Sequence, residues 1–317
     1  MHLPARTASR RTRAAASAAL VSLALAAGQA GPAHAAAAAP AAVYARALDG
    51  AMVQVSTDRP DTPVHPEAIT HPQLDSMGST IAAHEGSAAS ASGAARISNA
   101  LATPAAAVPQ LPGIDVSSYQ GDLTWSSIAP YIDFSYAKAT EGTYYTNADF
   151  ANQYDGPYDA GIIRGAYHFA IPNNSTGAAQ ADYFIAHGGG WSADGKTLPG
   201  ALDIEYNPYG AECYGLSQAS MVSWVKAFVN EYAAKEKAYP VIYSTTDWWT
   251  TCTGNSSAFS SEDPLWVANY SASAGGTLPS GWGYYTFWQY ADSGSEPGDQ
   301  DVFNGAYSGL QTLATKG

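Results

Sequence analysis

Two carboxylates one residue apart carry the strongest chemical signal in the chain. They are Asp203 and Glu205, in the segment ALDIE at 201–205. Because successive side chains alternate across a strand, the two acids share one face, and Leu202 and Ile204 share the other. Like charges this close raise the proton affinity of at least one acid, which suits it to general acid catalysis. The pattern indicates an acid pair at a strand end; a solvated edge strand is the alternative.

Three more acids lie in strand-like segments. Asp115 is flanked by Ile114 and Val116, and a buried aspartate must be paired or hydrogen-bonded. Asp299 and Asp301 lie in GDQDVF at 298–303, a composition that also suits a turn. Since the first and last strands of a closed barrel are neighbours, we expect Asp115 to meet Asp299 or Asp301.

Aromatic residues accompany these acids near the predicted strand ends. Flat rings with polar tips stack well on sugars, although each ring alone is more often a core residue. As a set beside carboxylates, they favour a carbohydrate cleft. The candidates are Tyr167, Tyr206, Tyr243, Tyr270 and Trp288.

Other site chemistries find little support. His168 has no Gly-x-Ser-x-Gly partner motif and is interpreted as a hydrogen-bonded barrel residue. No phosphate-cradling glycine motif is present, and two cysteines with sparse histidines supply too few metal ligands. We therefore predict no cofactor and no metal. Cys213 and Cys252 are predicted to form one disulfide, because neither has an apparent base beside it for nucleophilic chemistry.

The elements that position these residues alternate between strand and helix. This alternation predicts an α/β fold, a TIM-like β/α barrel with eight strands and a reduced number of helices; an open doubly wound sheet is the alternative. Helices are expected at 149–160, at 178–187 and from Ser217 to about Lys237. The predicted strands are 113–117, 134–139, 165–170, 200–205, 240–244, 265–270, 285–290 and a last one near 300–303.

The chain divides into three parts. Residues 1–35 resemble a signal peptide, with arginines, an apolar run and a cleavage site near Ala35, so we expect a secreted protein that can associate with the cell wall. Residues 36–108 are rich in Ala, Ser and Pro and are predicted to be a propeptide or linker. The polar stretch 71–86 differs from its Ala-rich flanks and is a candidate for a short ordered patch. Residues 109–317 form the predicted catalytic domain.

Charge narrows the range of partners. The chain has 14 lysines and arginines against 27 aspartates and glutamates, a formal net charge of −13. So acidic a protein does not bind nucleic acid by releasing counterions, and anionic membrane surfaces repel it. We expect a monomer that binds neither.

The body resembles the glycoside hydrolase family 25 lysozymes, the Chalaropsis-type N-acetylmuramidases, from about Pro112 to the C-terminus. The motifs that carry the resemblance are GIDVSSYQG (113–121), SYAKATEGTYYTN (135–147), GAYHFA (165–170), ALDIE (201–205), TFWQY (286–290) and GDQDVFNG (298–305). The resemblance implies a flattened eight-stranded barrel and hydrolysis of the β-1,4 bond between N-acetylmuramic acid and N-acetylglucosamine in bacterial peptidoglycan.

Residue roles follow from the same resemblance. Glu205 matches the proton donor, Asp203 the second acid of the pair and Asp115 the acid of the first motif. Asp299 matches the expected acid of the last motif, where Asp301 replaces the usual amide. Further substrate-binding candidates are Glu141, Tyr167, Tyr206, Tyr243 and Trp288.

Two questions stay open at this level. Asp203 either supports the substrate's own N-acetyl group, giving retention, or Asp203 or Asp299 acts as base for direct attack by water, giving inversion. A chitinase-like glycosidase and a non-catalytic peptidoglycan-binding module are the alternative functions; the intact set of acids argues against the second.

Overall fold

The computed structural model describes residues 75–85, 108–271 and 274–317, together with the backbone of two short strands, β1 (Val43–Arg46) and β2 (Met52–Val55). These two strands pair antiparallel in a sheet of their own. The predicted signal peptide, 1–35, and most of the predicted propeptide or linker, 36–108, lie outside the described residues.

The predicted barrel is confirmed. Within the described part of the chain, eight strands close into one sheet, and β5 is a two-residue strand paired with the end of β4. Its strands are β3 (Gln110–Val116), β4 (Phe134–Glu141), β5 (Tyr145–Thr146), β6 (Ile163–Phe169), β7 (Ala201–Asp203), β8 (Val241–Thr245), β9 (Leu265–Ala268), β10 (Phe287–Ala291) and β11 (Asp299–Asn304).

The last strand runs against its neighbours. From β3 to β10 the barrel strands pair in parallel, but β11 pairs antiparallel with both β10 and β3. The seven residues 292–298 that join β10 to β11 are enough for a hairpin, whereas a parallel return needs a crossover of a dozen or more. As a result, the beginning of β11 lies at the barrel end where the other strands finish.

Most helices pack against the outside of the barrel, whereas α1 and α7 contribute Ile81 and Leu310 to the apolar cluster inside it. The three predicted ones are present as α3, α4 and α5; α6 and α7 follow later strands, where little helix was expected. The helices are α1 (Ile81–Glu85), α2 (Trp125–Ile128), α3 (Phe150–Asp159), α4 (Gly177–Phe184), α5 (Gln218–Glu236), α6 (Thr246–Thr253) and α7 (Tyr307–Lys316). In the described ranges no helix combines the length and the apolar character needed to span a membrane.

Helix α5 shows how sequence sets these elements. The Ser217 hydroxyl accepts a hydrogen bond from the backbone N–H of Ser220, as a helix N-cap does, and Lys237 ends the helix in the left-handed conformation. Val225, Val229 and Tyr232, at helical spacing along one side of α5, are buried, and each contributes on the order of 1.5–3 kcal/mol.

Two apolar layers hold the barrel strands in place. One fills the barrel interior and includes Phe134, Tyr167 and Trp266; the other lies between strands and helices and includes Leu202 and Ile204. The predicted disulfide between Cys213 and Cys252 is present, with a Cα–Cα distance of 5.3 Å, and ties the loop before α5 to α6.

Candidate active site

Asp203 is the last residue of β7 and Glu205 follows two residues later; both side chains point into the barrel. Leu202 and Ile204 pack in the outer apolar layer, so the alternate side chains are directed inward. β7 ends at Asp203, but the Ile204 N–H donates to the Tyr243 carbonyl (3.1 Å) and keeps the chain extended. Both carboxyl groups are fully buried.

The electrostatic state of this pair differs from that of free acids. Burial and the charge of Glu205 raise the pKa of Asp203 well above its usual range. Burial also raises the pKa of Glu205 to about 7, against the lowering effect of its hydrogen bonds from Thr80 and Gly78. Apart from its contact with Glu205, Asp203 receives no hydrogen bond from any described residue.

A second group of acids faces this pair. Asp299, at the beginning of β11, pairs directly with Asp115 near the end of β3. The Gln289 side-chain amide donates to Asp115 Oδ2 (2.8 Å) and to Asp299 Oδ2 (3.0 Å). Burial raises the pKa of Asp115 to about 7, and the charge of Glu205 acts in the same direction. The two groups of acids are therefore close enough to interact and form one site.

Asp301 lies one pleat deeper, opposite Gly113. Its Oδ1 accepts a hydrogen bond from Trp266 Nε1 (3.0 Å). Burial and the charges of Asp115 and Asp299 raise its pKa well above the usual range, and its hydrogen bond with Asp115 raises the pKa of Asp301 while it lowers that of Asp115.

Glu141 belongs to a charged cluster at the end of β4. Lys138 Nζ lies 2.9 Å from Glu141 Oε2, and both side chains are fully buried. The hydroxyl groups of Tyr144 (2.6 Å) and Tyr209 (2.9 Å) reach Glu141 Oε1. Burial alone would raise the pKa of Glu141, but Lys138 and the hydrogen bonds with Asp75 and Tyr144 lower it to about 2.

The predicted aromatic residues do not all reach the site. Tyr167 and Tyr243 lie in the interior layer, and the Tyr243 hydroxyl donates to Gln289 Oε1 (2.6 Å). Tyr206, one residue after Glu205, is within hydrogen-bond distance of Asp247 Oδ2 (2.8 Å). Trp288 is a correction: it packs in the outer layer and donates to the Asn269 carbonyl, on the face of β10 opposite Gln289.

His168 has the structural role that its context predicted. Its Nδ1 lies 2.7 Å from Thr140 Oγ1 and its Nε2 lies 2.9 Å from Gln180 Oε1. Burial lowers its pKa to about 4, so the ring is neutral. Over the residues that the structure describes, no three His, Cys, Asp or Glu side chains are grouped to hold a metal ion.

A segment from before the barrel lies in the same site. We call residues 75–85 the leader segment. Its Gly78 N–H and its Thr80 hydroxyl donate to the two oxygens of Glu205, both at 2.7 Å. Asp75 contacts Lys138, with its Oδ2 at 3.2 Å from Nζ. The leader segment therefore contacts both the acid pair and the charged cluster.

Sequence reasoning missed several residues of this site. Gln289 lies in the TFWQY motif, but its amide gave no catalytic signal by itself. Lys138, Tyr144 and Tyr209 gave none either, because a lysine in a strand usually indicates solvent and tyrosines are frequent throughout the body. Tyr270 was noted among the aromatic residues, and its hydroxyl donates to Gln289 Oε1 at 2.8 Å.

Buried acids at the carboxyl ends of barrel strands, with tyrosine hydroxyls around them, define the class of a glycoside hydrolase. Comparison with known proteins agrees, since the family model described as Glycosyl hydrolases family 25 matches residues 114–299. The chain belongs to glycosyl hydrolase family 25, and it is a lysozyme-type glycoside hydrolase.

Individual relatives are similar over the whole body. The N,O-diacetylmuramidase of a Chalaropsis species is 51% identical over 207 residues, 64% of this chain and 98% of that protein. Lysozyme M1 of Streptomyces globisporus is 50% identical over 208 residues, 64% of this chain and 70% of that protein. The solved muramidase from Acremonium alcalophilum superposes with a TM-score of 0.64 at 55% identity, covering 65% of this chain and 100% of that one.

Proposed function

We propose that this lysozyme hydrolyses the β-1,4 bond between N-acetylmuramic acid and N-acetylglucosamine in bacterial peptidoglycan, with Glu205 as the proton donor. The observation that carries the proposal is the convergence of Asp203 and Glu205 on the barrel interior at the end of β7, where the charge of Glu205 also acts on Asp115. A carboxyl group whose pKa is raised to about 7 holds its proton at the pH where it must donate it.

Asp203 has the environment of a group that supports the substrate. Its buried oxygens receive no hydrogen bond from a described residue other than Glu205, so they are open to the N–H of a 2-acetamido group. Such a contact orients the acetamido oxygen towards the anomeric carbon and gives retention through the substrate's own carbonyl. Attack by water with Asp203 or Asp299 as base is the inverting alternative.

The remaining acids and tyrosines are proposed to bind the glycan. Asp299 is at the barrel mouth beside Asp115, and Tyr167 and Tyr243 present hydroxyl groups to the same interior. Tyr206 follows Glu205 directly and offers a ring face, while Glu141 extends the polar surface towards β5. Aromatic faces and charge-assisted hydrogen bonds are suited to sugar rings and hydroxyl groups.

The substrate is inferred from the names of the relatives. Muramidases cut after muramic acid, whereas a chitinase-like enzyme cuts between glucosamine units. We therefore propose digestion of purified cell walls followed by mass spectrometry of the released fragments. Muramic acid at the new reducing end supports the proposal; glucosamine there contradicts it, and chitin digested in preference to walls supports the chitinase-like alternative. Binding to walls without new reducing ends would indicate a non-catalytic module.

Two further statements are proposals of the same kind. We propose that the enzyme is secreted and monomeric and that it remains free of membranes and nucleic acid. Secretion is supported by the disulfide between Cys213 and Cys252, since such bonds persist in oxidising compartments. Sequencing the N-terminus of the exported protein and measuring its mass by light scattering test both.

A further inference from the structure

The leader segment occupies the position that a substrate needs at the proton donor. Gly78 N–H and Thr80 Oγ1–H donate to Glu205 Oε1 and Oε2, and both distances are 2.7 Å. The glycosidic oxygen of a bound glycan has to reach one of these same carboxyl oxygens. A glycan and the leader segment therefore exclude each other at Glu205.

Apolar side chains fix the leader segment to the interior of the barrel mouth. Met77 is fully buried and Ile81 is 2% exposed, and both pack with Tyr167 and Tyr243. The Met77 N–H also donates to the Tyr167 hydroxyl at 3.2 Å. Because both apolar side chains are removed from water, their burial stabilises the bound position of the leader segment.

Gly78 fits the floor of the site without room for a side chain. Its φ is +77°, and a Cβ placed there would lie 2.2 Å from the Tyr270 hydroxyl and 2.7 Å from Gln289 Oε1. Only glycine adopts this conformation at so close an approach without strain. The backbone at Gly78 is therefore complementary in shape to Tyr270 and Gln289, as expected of a specific complex.

Both ends of the leader segment are anchored by polar contacts. At one end, Lys138 Nζ donates to the Asp75 carbonyl at 2.5 Å and forms an ion pair with the Asp75 carboxylate. At the other, the Tyr206 hydroxyl donates to Glu85 Oε1 at 2.7 Å, and the His84 ring stacks on Tyr206 with centroids 4.0 Å apart. The segment thus extends across the mouth from β4 to the residues beyond β7.

We propose that the catalytic cleft is also a peptide-binding site whose ligand is the leader segment of the same chain, so that the full-length protein is a latent lysozyme. The inference rests on the proposed role of Glu205 in catalysis. The leader segment blocks the glycan sterically. It also places a hydrogen-bond donor on each oxygen of Glu205, so neither oxygen is available to the glycosidic oxygen.

Covalent connection makes this ligand effective. Residues 86–107, a stretch of 22, join the leader segment to the barrel domain. A ligand on the same chain acts at an effective concentration of about millimolar for short connections. If the bound form is populated to about 90–99%, the apparent affinity for glycan falls by about 10- to 100-fold. With an effective concentration of about 1 mM, this population corresponds to a dissociation constant of about 10–100 μM for a separate peptide of the same sequence.

The test uses the full chain with Gly78→Val, whose added side chain meets the Tyr270 hydroxyl. The matched control is Ala83→Val, because Ala83 is exposed on α1. We expect Gly78→Val to raise the initial rate of wall solubilisation at limiting substrate by about 10-fold or more, while Ala83→Val keeps the rate of the unaltered chain. Equal rates for the unaltered and Gly78→Val chains would overturn the inference.

Binding measured without turnover separates this inference from the proposed catalytic roles. Calorimetry with a soluble peptidoglycan oligosaccharide is expected to show at least about 10-fold tighter binding by Gly78→Val than by the unaltered chain. If binding tightens and hydrolysis does not appear, the latent complex stands and the catalytic assignment fails. If neither binding nor rate changes, no latent complex exists.

Addition of the leader peptide gives a second test. A synthetic peptide with the sequence of residues 75–85 is expected to inhibit the Gly78→Val chain half-maximally at about 10–100 μM. The same peptide with Gly78→Val is expected to have no effect, because its side chain would meet the Tyr270 hydroxyl. Equal inhibition by the two peptides would contradict the proposed mode of binding.

Discussion

Asp115 and Asp299 face each other across the antiparallel pair of β3 and β11. One amide, Gln289, donates to both carboxylates, and its own oxygen accepts hydrogen bonds from Tyr243 (2.6 Å) and Tyr270 (2.8 Å). The two tyrosine hydroxyls fix which end of the amide faces the acids, because only the NH₂ group can donate. Gln289 is therefore a positioning residue that keeps two like charges side by side.

The first prediction concerns this amide. Gln289→Leu removes the donor from Asp115 and Asp299 and leaves both tyrosine hydroxyls without their acceptor. Since the hydrogen bond from Gln289 lowers the pKa of Asp115, its loss raises that pKa further. We expect a loss of about 1–3 kcal/mol in the free energy of unfolding and an acidic limb of the rate profile moved to higher pH.

Urea unfolding and a pH–rate profile of the purified variant measure both effects. Gln311→Leu is the matched control, because Gln311 is exposed on α7. An unchanged pH profile in Gln289→Leu would show that the amide does not act on the reacting acids.

The second prediction concerns the proton donor. Glu205→Gln keeps the shape of the side chain but removes its proton, and we expect wall hydrolysis to fall by about 10²–10⁴-fold. The rate is measured with Gly78→Val present in both chains, so that the leader segment affects neither. Glu262→Gln, at an exposed position, is the control. Hydrolysis within a factor of a few of the parent would remove Glu205 from the mechanism.

The acid pair itself was predictable from sequence, because its geometry depends only on the residues of one short strand. The alternation of ALDIE fixes which side chains share a face, and a barrel has only one interior. The encounter of Asp115 with Asp299 was predictable too, because first and last strands meet in any closed barrel. The antiparallel direction of β11 was not foreseen, although the short link before it permits nothing else.

Other parts of the site depend on features that a strand pattern does not encode. Simple alternation places Lys138 and Glu141 on opposite faces of β4, yet they form a buried ion pair. The register shift between Lys138 and Thr140 is an irregularity that reverses the alternation, and nothing in the sequence marks it. Trp288 was predicted to bind substrate but lies on the outer face of β10. Large aromatic residues occur on both faces of this strand, so the pattern does not show which face points into the barrel.

The position of the leader segment could not be predicted from its own sequence either. Residues 36–108 have a composition with little to bury, and only the polar stretch 71–86 was singled out. Met77 and Ile81 are buried because the barrel mouth supplies the apolar partners that the leader lacks. A composition argument considers a segment alone, so it cannot detect a binding partner elsewhere in the chain.

The third prediction concerns pH and stability. Buried acids such as Asp115 and Glu205, both with a pKa of about 7, bind protons more tightly when folded than when unfolded. Their contribution to stability is therefore complete below about pH 4 and is lost as the pH rises through about 7. Glu141, with its pKa lowered to about 2, acts in the opposite direction below its ordinary value. We expect a melting temperature about 5 °C or more lower at pH 8 than at pH 5.

Asp301 offers a specific check on this pH dependence. Burial raises its pKa well above the usual range, and Asp301→Asn replaces the proton by an amide hydrogen that does not titrate. We expect this variant to fold, to keep most of its activity and to show a smaller fall in melting temperature from pH 5 to pH 8. Asp159→Asn, at an exposed position on α3, should leave the fall unchanged. A steeper fall in Asp301→Asn would contradict a protonated Asp301.

The fourth prediction concerns the ion pair of β4. Lys138→Met removes the positive charge next to Glu141 and leaves a buried carboxylate without its partner, which is expected to lower the free energy of unfolding by about 3–5 kcal/mol. Adding Glu141→Gln removes the unpaired charge, so the double variant should recover most of this loss. Lys235→Met breaks the exposed contacts with Asp182 and Glu231 and should leave the free energy of unfolding nearly unchanged, because solvent screens exposed ion pairs.

Urea unfolding of the unaltered chain, Lys138→Met, Glu141→Gln and the double variant gives the coupling energy between the two buried side chains directly. The pair was seen with Asp75 bound to Lys138, so the cycle is measured both in the native chain and with Gly78→Val. A coupling that persists in both assigns it to β4 itself, because Lys138 and Glu141 lie on the same strand. A coupling near zero in both would mean that solvent or rearrangement compensates the charge of Glu141 when Lys138 is absent. The buried pair would then not stabilise this end of the site.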